Sequence, residues 1–111
     1  MAEPLLTDVF GATATQTETQ LIINKADLVD VGLTASATNT AESLFVSLQM
    51  KARQSLTEAN FQLNTEQNLY YSDGFPSFIT KGETAESWRV EQISWNIASP
   101  NTGVSLNPND Y

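Results

Sequence analysis

Histidine and cysteine are both absent from this 111-residue chain, and only five cationic residues stand against thirteen acids. Without histidine the common Ser–His nucleophile pair is impossible. A Ser–Lys pair would need a lysine whose pKa is lowered by its surroundings, and no recognised motif supplies one. Without cysteine there is no disulfide framework and no thiolate metal site, so the redox compartment is left open. The shortage of cations matters as much. A net charge of −8 works against nucleic acid and against anionic membranes, because both are gripped by neutralising phosphate. The five glycines are scattered at positions 11, 32, 74, 82 and 103, so no Gly-rich loop cradles a phosphate. No apolar run approaches the ~18 residues of a membrane span. Met1 to Asp8 lacks the basic and apolar regions of a secretory signal, so the expectation is a soluble protein.

What is present is an ordinary apolar fraction, 41%, beside an unusual load of Thr, Ser, Asn and Gln. Charged residues make up only 16%, below the roughly 25% typical of soluble domains. Low charge argues against disorder, whose signature is low hydrophobicity with high charge. A neutral polar surface is cheaper to bury against another protein than an ionic one, since no ion has to be desolvated. The length corresponds to one domain, with a single core and little margin.

Along the chain, residues 1–15 read as an extended N-terminal arm, residues 16–98 as an α+β body, and residues 99–111 as an irregular C-terminal tail. Leu5, Leu6, Val9 and Phe10 give the arm apolar contacts to make, with its own core or with a neighbour. Gln16 to Asn24 ends in a β-branched run and reads as a strand. Asp27 to Ala37 reads as a loop with apolar anchors. The clearest element is a helix over about 40–56. Asn39 is its expected N-cap and Glu42 its capping-box partner, and the apolar stripe runs through Ala41, Leu44, Phe45, Leu48 and Ala52. Lys51 and Arg53 suit the negative end of that helix.

The second half reads as strands. Phe61 and Leu63 alternate with polar residues, Gln67 to Ser72 follows, then Ser77 to Thr80 and a long candidate from Glu86 to Ala98. Ser72-Asp73-Gly74 and Lys81-Gly82-Glu83-Thr84 are turn signals. Trp88 and Val90 share one parity while Ile93, Trp95 and Ile97 share the other, so a bulge near Glu91-Gln92, or burial on both faces, is expected. The fold class is α+β: an antiparallel β-sheet with one main helix on a face, and arms at both ends.

Candidate chemistry is thin. Glu83, Glu86 and Glu91 cluster in sequence, but a carboxylate pair works only across a cleft, and a solvated face is the plainer reading. Asp27-Leu28-Val29-Asp30 and Asn107-Pro108-Asn109-Asp110 are oxygen-rich, yet neither follows a spaced calcium loop. No catalytic, metal or cofactor residue is therefore assigned. The aromatics Tyr70, Tyr71, Phe75, Phe78, Trp88 and Trp95 gather in the second half and read as core and cross-strand pairs, with Trp88, Tyr70 or Phe75 at an interface as the alternative.

The layout as a whole is what resembles a known group. The arm Leu5-Leu6-Thr7-Asp8-Val9-Phe10-Gly11, the Thr/Ala stretch, the capped helix Asn39-Thr40-Ala41-Glu42-Ser43-Leu44-Phe45 and a strand-rich second half resemble small virion proteins of tailed phages. Decoration or cement proteins of the capsid are the nearest class. The resemblance implies a non-enzymatic, multi-copy or homo-oligomeric protein without cofactors, placed in the virion. Its partners would be protein subunits of a capsid or tail, not nucleic acid or membrane. Leu5, Leu6, Val9, Phe10, Trp88 and Tyr111 are the expected interface residues. A neck, tail or baseplate component is the near alternative. A carbohydrate- or receptor-binding module stacking on Trp88, Tyr70 and Tyr71, and a small carboxylate hydrolase, are the more distant ones.

Overall fold

The computed structural model describes residues 3–99 and 108–111. It is an α+β protein in which every paired strand is antiparallel. The strands form three two-stranded units instead of one broad sheet.

The N-terminal segment departs from the extended arm. Leu6–Phe10 forms a short helix, α1, because the Asp8 carboxylate accepts the Leu5 backbone N–H at 3.0 Å and closes its first turn. Gly11 ends it at φ +123°, against Asp27. The segment expected as one strand is a tight hairpin, β1 (Thr15–Gln16) with β2 (Leu21–Ile22). Thr17 folds that turn by accepting the Gln20 N–H on its hydroxyl at 3.1 Å. The expected loop then begins as a 3-10 helix, Lys25–Val31, capped by Asn24 and closed by Gly32 in the left-handed region. Its Leu28, only 2% exposed, is the most deeply buried large side chain among the described residues.

The main helix, α2, spans Ala41–Ser55. Thr40, not Asn39, is its N-cap, accepting from Ser43 N–H at 3.1 Å. Asn39 instead braces the preceding loop, accepting from Ser36 N–H and donating to the Thr34 carbonyl. The buried face also differs from the expected stripe. It runs through Leu44, Ser47, Leu48, Lys51, Ala52 and Ser55, leaving Ala41 exposed and Phe45 63% exposed. The two cations of α2 are tethers: Lys51 pairs with Asp30 and Arg53 with Asp73, each at 2.9 Å. A third helix, α3 (Glu58–Leu63), replaces the strand expected around Phe61 and Leu63, because Thr57 caps it through Asn60 N–H.

From here the chain makes one long, interrupted ribbon. Its proximal half pairs β3 (Leu69–Asp73) with β6 (Ile93–Ile97), and its distal half pairs β4 (Ser77–Lys81) with β5 (Glu86–Val90). Asp73 faces Ile93 and Ser77 faces Val90, so Gly74, Phe75 and Pro76 stand opposite Glu91 and Gln92 alone. That extra residue is the register shift which the parity switch at Glu91-Gln92 announces. Gly74 is required there by close approach, since a Cβ would sit 2.8 Å from the Gln92 Cβ, while its N–H donates to the Gln92 carbonyl at 2.7 Å.

The body holds the proximal half from both sides. Tyr71 N–H donates to the Leu56 carbonyl, and its hydroxyl bonds Gln49 of α2 at 2.6 Å. On the opposite face Tyr70 stacks on Phe61 of α3, ring centroids 4.7 Å apart. Gln67 is buried and donates to the carbonyls of Thr57 and Leu69. The distal half packs chiefly on itself.

Candidate interaction surface

A two-stranded hairpin is marginal in water without a helix or further strands to cover a face. Every residue of β4 is exposed, and so is β5 up to Arg89. Phe75, at the waist where Gly74 to Pro76 interrupt the ribbon, is 91% exposed, Phe78 72%, Ile79 52% and Trp88 46%. The turn of this ribbon is built from sequence: Gly82 adopts φ +82° and Ala85 φ +51°, with Ala85 N–H donating to the Gly82 carbonyl. Its face is reinforced by Lys81, whose Nζ lies 4.0 Å from the Trp88 ring centroid. At an exposed site that is worth about 0.5–1 kcal/mol.

A second apolar feature lies where α2 meets β6. Phe45, Val46 and Gln49 face Glu91, Ile93 and Trp95 across an open cleft of about 260 Å³. All four apolar side chains in it remain exposed. At the waist, Arg53, Asp73, Arg89 and Glu91 line a neighbouring hollow of about 250 Å³. Its carboxylates are each matched by an arginine, Arg53 to Asp73 and Arg89 to Glu91.

The expected interface residues fall in two places. Leu5 is exposed before α1, whereas Leu6, Val9 and Phe10 are half-buried where α1 packs on α2. Tyr111 lies beside Glu3 and Pro4, so the described part of the C-terminal tail, a 3-10 turn at Pro108–Asp110 ending in Tyr111, meets the N-terminal segment. The rest of that tail, residues 100–107, lies outside the described residues. Trp88 sits on a separate element, the distal ribbon, where it joins the exposed Phe75, also an expected interface aromatic, and Phe78 and Ile79. Phe45, Val46, Ile93 and Trp95, exposed at the cleft, lie outside the expected interface residues. The signal in the sequence was an excess of apolar residues: α2 carries Leu44, Phe45, Val46, Leu48 and Met50, more than one face can bury.

The proposed stacking aromatics form no single row. Adjacent strand residues point to opposite faces, so Tyr70 is taken by Phe61 and Tyr71 by Gln49, away from Trp88. Burial pushes the Tyr71 hydroxyl above its ordinary pKa. The acidic pair of the first oxygen-rich stretch is also divided. Asp27 accepts two hydrogen bonds from Thr13, which hold its carboxyl below the ordinary value, while Asp30 binds Lys51. Of the second stretch, Asn107 lies outside the described residues. Among the described residues no helix is long and apolar enough to cross a membrane.

Compared with known proteins, the chain matches no family model, no curated protein and no solved structure.

Proposed function

We propose that this protein is a non-enzymatic structural component of a larger assembly, a decoration or cement-type subunit of a tailed-phage virion. A neck, tail or baseplate subunit is the same proposal at another address. The observation that supports it is the imbalance between core and surface. Among the described residues five apolar side chains are buried, while Phe75, Phe78, Ile79, Trp88, Phe45, Val46, Ile93 and Trp95 are exposed. The accessible area is 8407 Å², against about 6,100 Å² for a compact monomer of 12.2 kDa. The radius of gyration is 16.8 Å, against about 13 Å for a compact domain of this length. The excess, about 2,300 Å², is more than the roughly 800 Å² that one partner contributes to a specific interface. Burial of the ribbon and cleft in neighbouring subunits would supply the cover that the monomer's own core lacks. The virion address comes from the resemblance in layout, and the neutral polar surface is compatible with multi-copy contact.

Gradient-purified particles from a strain that produces this chain provide the test. A virion component co-sediments with the coat or tail subunits at a fixed ratio, scored by quantitative mass spectrometry. Absence of the chain from washed particles would refute the assignment. So would substrate turnover abolished by changing one carboxylate.

A further inference from the structure

We infer that β4 pairs antiparallel with β4 of a second copy of this chain, about a two-fold axis at Ile79, joining two distal ribbons into one four-stranded sheet. The inference rests on the assembly reading and names one partner of the ribbon. Both outer edges of the distal ribbon are unpaired among the described residues, and the two edges differ. The β5 edge carries Glu86 and Arg89, and charge is what blunts an exposed edge. The β4 edge offers Ser77, Phe78, Ile79 and Thr80 in succession without a charge, bounded by Pro76 and Lys81. Charge also favours a second copy over a basic partner. The molecule carries −8, yet within 77–90 Lys81 and Arg89 balance Glu83 and Glu86. The ribbon is thus a neutral part of an acidic protein, so two ribbons approach without net repulsion between them.

The register follows from the same residues. With the axis at Ile79, Ser77 opposes the neighbour's Lys81, Phe78 opposes Thr80, and Ile79 opposes itself. All five residues of β4 pair and no like charges face each other. An axis at Phe78 would bring in Pro76, which has no N–H to donate. Because Ile79 faces Trp88 within each ribbon, the joined sheet carries an unbroken apolar row of Trp88, Ile79, Ile79 and Trp88 from strand to strand. Phe78 lies on the other face, and Phe75 precedes β4 on the same edge, beside the neighbour's Gly82-Glu83 turn. Phe75, Phe78, Ile79 and Trp88 are 46–91% exposed, but edge pairing covers only the sides of Phe78 and Ile79 that meet the neighbour, less than the roughly 1,000 Å² of a specific interface. The pairing is therefore reversible in dilute solution and persists where many copies are held close.

The chain has no cysteine, so a single introduced thiol reports one position. Facing Cβ atoms across an antiparallel pair lie within about 5.5 Å, near disulfide range. In the full chain, Ile79→Cys is expected to cross-link under mild oxidation at least about tenfold faster than Ser87→Cys on the β5 edge. Sedimentation equilibrium of the wild type is expected to show concentration-dependent dimer, weakened about tenfold by Ile79→Lys. Equal cross-linking at both positions, cross-linking only at position 87, or a wild type that stays monomeric at every concentration overturns the inference. If the Ile79→Cys variant joins a different polypeptide in assembled particles, with no dimer, self-pairing is overturned in favour of a partner strand on this edge, and the assembly reading stands. A cross-linked dimer that never enters particles does the reverse.

Discussion

Truncating Leu28 to alanine separates the two kinds of apolar residue in this molecule. Leu28 is 2% exposed, and only Ala14, Leu33, Ala52 and Leu56 share its burial among the apolar side chains described. Removing a buried isopropyl group leaves a cavity and costs about 2–5 kcal/mol. A chain of this length has a total stability of roughly 5–15 kcal/mol, and so small a core places it at the low end. A loss near 3 kcal/mol lowers the folding constant about 150-fold. In urea, with a slope of about 2 kcal/mol/M, the midpoint followed by far-UV circular dichroism should fall by about 1.5 M. Phe75→Ala removes a larger apolar group, yet Phe75 is 91% exposed, so its stability should stay within about 0.5 kcal/mol of wild type. If Phe75→Ala destabilises as much as Leu28→Ala, the waist is packed on the body. The ribbon would then be covered by its own body and need no partner.

Four further outcomes are expected. Gly74→Ala brings a Cβ to 2.8 Å from the Gln92 Cβ, so the strands must part at the waist, read as faster amide exchange at position 74 with little change at Tyr71. Thr57→Ala removes the cap of α3 and should cost about 1 kcal/mol in the same urea titration. At alkaline pH the unfolded state gives up the Tyr71 proton first, because the folded pKa is raised. Stability is then fully present below about pH 10 and declines above it, and Tyr71→Phe should flatten that decline. At acid pH the sign reverses for Asp27, whose folded pKa is lowered. Its contribution is present above its ordinary value of 3.8 and disappears as pH falls through the folded value, a loss that Asp27→Asn should remove from the acid melting curve.

Much of the second half could be read from pattern. The hairpin turn at Lys81-Gly82-Glu83-Thr84, strands on either side of it, and the change of parity at Glu91-Gln92 all correspond to β4, β5 and the waist. Helix α2 was also legible, within a residue or so at each end. Helices α1 and α3 were not. Each is too short for a periodic signal, at five and six residues, and each depends on one side chain, Asp8 or Thr57, closing its first turn. The candidate surface was half legible: Trp88 was named, whereas Phe45 was assigned to the core stripe and is exposed.

The sequence by itself determined the chemistry available: no imidazole, no thiol, few cations, and more apolar residues in α2 and the last strands than a small core can bury. Those limits follow from composition and from local periodicity, which report on neighbours in the chain. The tertiary structure alone decided which apolar residues went inside. Leu28 of the 3-10 helix, Leu33 beyond it, and Ala52 and Leu56 at the end of α2 come together to close the core and so set the rotation of α2, while Lys51 and Arg53 pair with Asp30 and Asp73 at its margins. Once that rotation is set, Phe45 and Val46 face outward, and among the described residues no helix packs on the ribbon beyond Gly74. Burial is a property of contacts between distant segments, and no window of sequence contains them.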